Sequence, residues 1–139
     1  MPELDSRSAA STASSAESQA PPVRILLVED DDSVRDITQR LLEARGYRVC
    51  CAASGRQGVD AYQADPRAFD LVLVDRNMPD IDGIAALCEM RRVNADVRAL
   101  LMSGMTMTDI PTEALPTGFL MKPYGIDDLQ AAVVAALAA

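Results

Sequence analysis

Ile25-Leu26-Leu27-Val28-Glu29-Asp30-Asp31-Asp32 is a short, unbroken apolar run that ends in four consecutive acids. Such a run fits a strand buried on both faces, as the strands of a parallel sheet are. Runs of the same kind recur as Tyr47 to Ala52, Leu71-Val72-Leu73-Val74, Ala99-Leu100-Leu101-Met102 and Phe119-Leu120-Met121. Between them lie helical patterns. Val34, Ile37, Leu41 and Leu42 share one helical face, with Ser33 placed to cap its start and Gly46 to end it. Ser54 to Ala64 reads as a weaker helix, softened by Gly58. Ile84, Leu87, Cys88 and Arg91 follow Gly83 at helical spacing. Ile126, Leu129, Val133 and Leu137 line a last helix, with Asp127 and Asp128 in its first turn, where the helix dipole favours acids. Met105 to Leu115 is the poorest helix, because Pro111 interrupts it. Five strands alternating with five helices predict an α/β fold, a doubly wound five-stranded parallel sheet with right-handed crossovers.

Composition narrows the function. The chain has 139 residues, enough for one domain with a proper core. Thirteen Lys and Arg against 21 Asp and Glu leave a net charge of −8, which argues against a nucleic-acid-binding surface, since phosphate binding draws on excess cations. There is no histidine, which removes His-based acid/base catalysis, His-containing triads and most zinc sites. Cys50, Cys51 and Cys88 are odd in number and read as small buried hydrophobes in a reducing compartment. No segment is long and apolar enough for a membrane span and no signal peptide opens the chain, so the cytoplasm is the default address. Residues 1–22, mostly Ser, Ala, Gln and Pro towards their end, read as a disordered tail or linker ahead of a domain at 23–139.

Ligand sites of open α/β sheets lie beyond the carboxyl ends of the strands. The first run is followed by Glu29 and Asp30, the third by Asp75, Arg76 and Asn77, the fourth by Ser103, and the fifth by Lys122. Each of these alone could be an ordinary solvated strand end. Together they place acids, a hydroxyl and a cation on one crevice, and Lys122 is the only lysine among thirteen basic residues. Glu29, Asp30 and Asp75 would repel one another unless a cation intervenes. Hard oxygen ligands with open positions suit Mg²⁺. A Mg²⁺, a lysine and a hydroxyl around one carboxylate are the parts that stabilise a phosphoryl group in transfer, with Asp as a competent nucleophile. No Gly-rich phosphate loop follows the first strand, which disfavours a nucleotide- or flavin-binding protein.

At these residues the chain resembles a response-regulator receiver domain, the phosphoacceptor module of two-component signalling. The resemblance spans about residues 23 to 138 and rests on Ile25 to Asp31, Leu71 to Gly83, Leu101 to Gly104 and Gly118 to Tyr124. It implies a flavodoxin-like strand order 2-1-3-4-5 with five flanking helices. It also implies phosphorylation at Asp75, with Mg²⁺ held by Asp30, Asp75 and the backbone carbonyl of Asn77, and by Glu29 through water. Ser103 would bond a phosphoryl oxygen, Lys122 would pair with the phosphoryl group, and Phe119 matches an aromatic that turns inward as the hydroxyl moves. The Lys122-Pro123 bond would be cis. Glu29 in place of the more usual Asp is a tolerated variant. Ser103-Gly104 and the Pro111-broken helix resemble receivers attached to hybrid histidine kinases.

With no histidine of its own, such a receiver needs a histidine kinase or histidine phosphotransfer protein as donor. The chain closes at its last helix, so output is expected through a downstream protein target or by passing the phosphoryl group on, with no nucleic acid and no membrane insertion. It would be no enzyme beyond its own phosphorylation and dephosphorylation. Two other readings stand beside this one. A pseudo-receiver would keep the fold and work as an interaction module without phosphorylation. An Asp-nucleophile phosphohydrolase would need a second Asp two residues after Asp75, where this chain has Asn77. Phe119 on its own is core by default, Tyr124 reads as packing or surface, and Met102 as core filling.

Overall fold

The computed structural model of the chain describes residues 21–104, 110 and 116–139. Its sheet consists of β1 (Arg24–Val28), β2 (Arg48–Ala52), β3 (Leu71–Asp75), β4 (Ala99–Ser103) and β5 (Gly118–Met121). All four pairings are parallel and the order is β2-β1-β3-β4-β5. The helices are α1 (Asp32–Ala44), α2 (Gly55–Ala64), α3 (Gly83–Val93) and α4 (Ile126–Ala138), with a short 3-10 turn at Pro66–Ala68. The expected strand order and doubly wound layout are present. The described residues hold four α-helices, because the fifth expected one, Met105 to Leu115, falls almost wholly outside them. No described helix is long and apolar enough to cross a membrane.

Alternate residues of a strand face opposite sides, so each central strand feeds two cores. Ile25, Leu27, Leu71, Leu73 and Leu100 pack with Leu42 of α1 and Leu129 and Val133 of α4. Leu26, Val28, Val72, Val74 and Leu101 pack on the other face with Val59 and Tyr62 of α2 and Leu87 and Met90 of α3. Burying each such side chain stabilises by roughly 1.5–3 kcal/mol. β3 and β4 are buried at every position.

The outer strands depart from the expectation of burial on both faces. Only Ala52 of β2 and Leu120 of β5 are buried. A border strand has one neighbour, and helices cover it incompletely. For this reason Cys50 is exposed and Cys51 partly so; Cys88, on a helix, is also partly exposed, so none of the three is the buried residue expected, and all three are free thiols. Phe119 is likewise 46% exposed instead of core, whereas Met102 is fully buried as expected.

Helix α1 also differs in detail. Asp31, not Ser33, caps it, its carboxylate accepting from the Val34 N–H, which begins the helix two residues earlier. Gly46, at φ 90°, takes the left-handed turn that ends it, as expected. The residues this helix buries are Thr38 and Leu42. Ile37, on the face predicted to be inward, is 58% exposed. A hydroxyl has taken a core position from the apolar stripe.

Two glycines permit close approach. A Cβ on Gly58 would meet Val28 Cγ2 at 2.5 Å, so Gly58 lets α2 lie against β1 rather than merely weakening the helix. A Cβ on Gly83 would collide with the Asp75 carbonyl and lie 2.8 Å from Arg76 Cα. Backbone cannot rotate away, so Gly83→Ala is expected to destabilise the fold by about 3 kcal/mol, near the upper end for overpacking. Gly46→Ala, with open space around it but a strained φ, should cost only about 1 kcal/mol. Urea unfolding midpoints of the two variants test this ranking.

Candidate functional site

Parallel pairing points every strand's carboxyl end the same way, and the polar residues sit just there. Glu29 follows β1, Asp75 closes β3, Ser103 closes β4 and Lys122 follows β5. β1 and β3 are neighbours although β2 lies between them in sequence, so Glu29, Asp30 and Asp75 meet at the switch point. Their carboxylates each bring an oxygen within 4.8 Å of the others. Glu29 and Asp75 are buried, and Asp30 is partly exposed. Lys122 reaches across, its Nζ 2.6 Å from Glu29 Oε1 and 3.4 Å from Asp75 Oδ1. The second oxygen of Glu29 accepts from the Asp31 N–H at 3.2 Å.

Burial dominates the electrostatics of Glu29. It pushes that carboxyl up to about 7 despite the bond from Lys122 and the Asp31 N–H. For Lys122, burial works to lower the ammonium, but its bond to Glu29 and the charges of Glu29 and Asp75 outweigh this and hold it above its ordinary value. The ammonium therefore stays charged at neutral pH. Its charge partly compensates the buried acids.

The donor set fits a hard divalent cation. Among the described residues it consists of carboxylate oxygens, with no imidazole or thiolate in the cluster, and Asp30 together with the other Asp75 oxygen leaves oxygen ligands to offer. Both Glu29 oxygens already accept a hydrogen bond, one from Lys122 and one from the Asp31 N–H. Asn77 lies in the same loop, its N–H 3.5 Å from Asp75 Oδ1, with an exposed side chain.

Ser103 is fully buried at the end of β4, beside the strand that carries Asp75, and its carbonyl accepts from the Lys122 N–H at 2.8 Å. The Lys122-Pro123 peptide is cis. Glu29, Asp30, Asp75 and Lys122 thus converge, and Ser103 flanks them. Phe119 does not join them; it stands on β5 in register with Leu101 and half exposed.

Residues outside the sequence reading complete the surroundings. Arg35 of α1 donates from Nη1 to the Glu29 carbonyl at 2.9 Å and from Nη2 to Asp32 Oδ1 at 2.6 Å, tying down the acidic loop. The Asp32/Arg35 spacing of three on a helix is the signal that would have found it. Asp80, in the loop after Asp75, accepts from the Arg56 N–H at 2.8 Å and the Gly55 N–H at 3.1 Å, joining that loop to the start of α2. A Cβ on Gly55 would strike Ile81, so a glycine there lets the loop and the helix meet.

Comparison with known proteins follows from this geometry. A family model described as "Response regulator receiver domain" matches residues 25–134. The transcriptional regulatory protein ZraR of Escherichia coli O157:H7 is 43% identical over 119 residues, which cover 84% of this chain and 26% of ZraR. The chain therefore spans about a quarter of that relative. Among solved structures, the receiver domain of the hybrid histidine kinase CckA superposes with a TM-score of 0.70 at 35% identity, covering 82% of this chain and 98% of that one. The response regulator TrrA of Thermotoga maritima, solved in complex with Mg²⁺ and BeF, superposes with a TM-score of 0.75 at 25% identity, covering 82% and 98%.

The Asp80 tie has a pH signature. The Arg56 N–H, with that of Gly55, holds the Asp80 carboxyl below its ordinary 3.8. A lowered folded value stabilises above the unfolded one and is lost as pH falls through the lowered value. Asp80→Ala should therefore lower the urea midpoint at neutral pH, and the gap to wild type should shrink as pH drops below about 4. Urea titrations between neutral pH and pH 3 check the convergence.

Proposed function

The chain belongs to the response regulator receiver domain family, and from that premise we propose that it accepts a phosphoryl group on Asp75 from a partner's phosphohistidine. The observation that carries this reading is the convergence of three carboxylates and a single lysine from the ends of β1, β3 and β5. An oxygen of Asp75 bonds to phosphorus as the phosphorus–nitrogen bond to the donor's imidazole breaks, and the departing nitrogen keeps the electron pair. Asp75 is held for this at the switch point, nearly buried, with Lys122 already on one of its oxygens. As negative charge builds on the transferred oxygens, the Lys122 ammonium is the preplaced counter-charge. The Ser103 hydroxyl, at the end of the adjacent strand, is the donor to a phosphoryl oxygen. Asp30, Asp75 and the Asn77 carbonyl would hold Mg²⁺, with Glu29 acting through water, and the bound ion supplies positive charge to the phosphoryl oxygens.

The donor in this reading is a histidine kinase or a histidine phosphotransfer protein, because the chain contains no histidine. Its output is a changed affinity for a downstream protein, or onward transfer, with Phe119 and Ser103 as the residues that change state. The receiver unit is residues 23–139, with a cytoplasmic address, and the net charge of −8 supports a domain that does not itself bind nucleic acid. The only chemistry it performs is its own phosphorylation and dephosphorylation.

Incubation with a small acyl phosphate and Mg²⁺ should add one phosphoryl mass to the intact protein, and Asp75→Asn should abolish the adduct while leaving the fold intact. Persistent labelling of that variant would move the acceptor elsewhere. Asp30→Ala should weaken Mg²⁺ affinity by about tenfold or more, read by NMR titration. No adduct and no Mg²⁺ binding in the wild type would return the chain to the pseudo-receiver reading.

A further inference from the structure

The Glu29–Lys122 contact joins residues 93 apart in sequence, and the strands that carry them are not neighbours. β3 and β4 stand between β1 and β5, a separation of roughly 14 Å at the usual strand spacing. The sheet guides Lys122 only through the register of β5, whose ladder with β4 ends at Ser103 and Met121, and through one more bond, Lys122 N–H to the Ser103 carbonyl. Beyond that point a long, freely rotating side chain must find two buried acids. Something outside the sheet has to hold the chain where the side chain departs.

Helix α1 supplies that hold. The Tyr124 hydroxyl, two residues after Lys122, lies 2.7 Å from Thr38 Oγ1 and 3.6 Å from Met102 Sδ. Thr38 is 1% exposed, the hydroxyl that occupies a core position on α1 where its apolar stripe would put a hydrocarbon. One turn earlier on the same helix, Arg35 donates to the carbonyl of Glu29. The two ends of the Glu29–Lys122 pair are thus both tied to α1, one through Arg35 and the other through Thr38 and Tyr124. Neither tie touches the reacting carboxylate. Burying the Thr38 hydroxyl is costly unless it finds a partner, and the Tyr124 hydroxyl is that partner, which makes the pair specific for one seating of Tyr124.

We propose that Tyr124 is a positioning residue for Lys122: its hydroxyl, bonded to Thr38, fixes the Lys122-Pro123-Tyr124 turn against α1 and so sets where the ammonium sits. The proposal rests on the reading of Lys122 as the counter-charge in phosphoryl transfer, but its structural half can be measured without any transfer. Lys122 is the only lysine in the chain, so protein labelled with ε-¹³C-lysine gives one ε-methylene resonance from an unambiguous site.

In the full chain without metal, Tyr124→Phe and Thr38→Val should each move or broaden that resonance, and Thr38→Ser, which keeps the hydroxyl, should restore it. Phosphorylation by acetyl phosphate with Mg²⁺ should slow about tenfold in Tyr124→Phe and in Thr38→Val, and the double variant should be no slower than either, since both remove one bond. In a Lys122→Ala background, Tyr124→Phe should have no further effect. Tyr124→Phe removes one oxygen and keeps the packed ring, so it stays informative if Thr38→Val fails to fold. An unmoved Lys122 resonance in folded Tyr124→Phe overturns the proposal. So does an equal slowing with Lys122 already gone, which would mark the pair as merely structural. If the wild type takes up no phosphoryl group, the functional reading fails, and the resonance still decides whether Tyr124 positions Lys122.

Discussion

The Lys122 ammonium between Glu29 and Asp75 is the interaction that makes the rest of this arrangement tenable. Doubly wound sheets collect strand ends at one edge, and this chain has put three carboxylates there, two of them buried. Without a neighbouring cation the acids would repel one another and resist burial. The compensation is only partial, since Glu29 is still pushed up to about 7 by its burial. An acidic centre held by one flexible cation is poised to exchange that cation's contacts for others. A rigid guanidinium fork would satisfy the same acids more completely, leaving less freedom to rearrange.

Around this centre the supports are unequal in kind. The core strands β3 and β4 are buried throughout, so Asp75 and Ser103 are placed by hydrophobic packing on both sheet faces. Glu29 and Lys122 are placed instead by polar ties to α1, through Arg35 and through the Thr38–Tyr124 pair. Packing resists displacement in every direction, whereas a hydrogen bond mainly constrains distance and orientation. Asp75 and Ser103 thus belong to the stiff part of the molecule, and Glu29 and Lys122 belong to a part held by a few directional contacts.

Much of this was legible in the residues themselves. Unbroken apolar runs such as Leu71 to Val74 announce central parallel strands because no polar residue interrupts either face. The acids, the hydroxyl and the lone lysine at four run ends announced where chemistry would gather, because topology alone brings parallel strand ends together. What stayed hidden depended on tertiary contact. Thr38 is a hydroxyl set between Val34 and Leu42 on the apolar stripe of α1, and only the approach of Tyr124 gives it a partner. Phe119 and Cys50 look like core in their runs, and only the position of their strands at the sheet borders leaves them exposed. Gly58 looks like a weak point in a helix until Val28 is found against it. Periodicity reports which face a residue is on, not what covers that face.

The tie from Asp80 to the backbone of Gly55 and Arg56 has a mechanical consequence. It grafts the loop after Asp75 onto the first turn of α2, and Gly83 closes the other end of that loop against the Asp75 carbonyl. Asp75 is clamped on both sides of its own segment. A bulky anion added at Asp75 therefore meets a fixed wall on its own side of the crevice. Accommodation then falls to the few directional ties that hold Glu29 and Lys122 across the crevice, so displacement is steered by stiffness rather than by attraction alone.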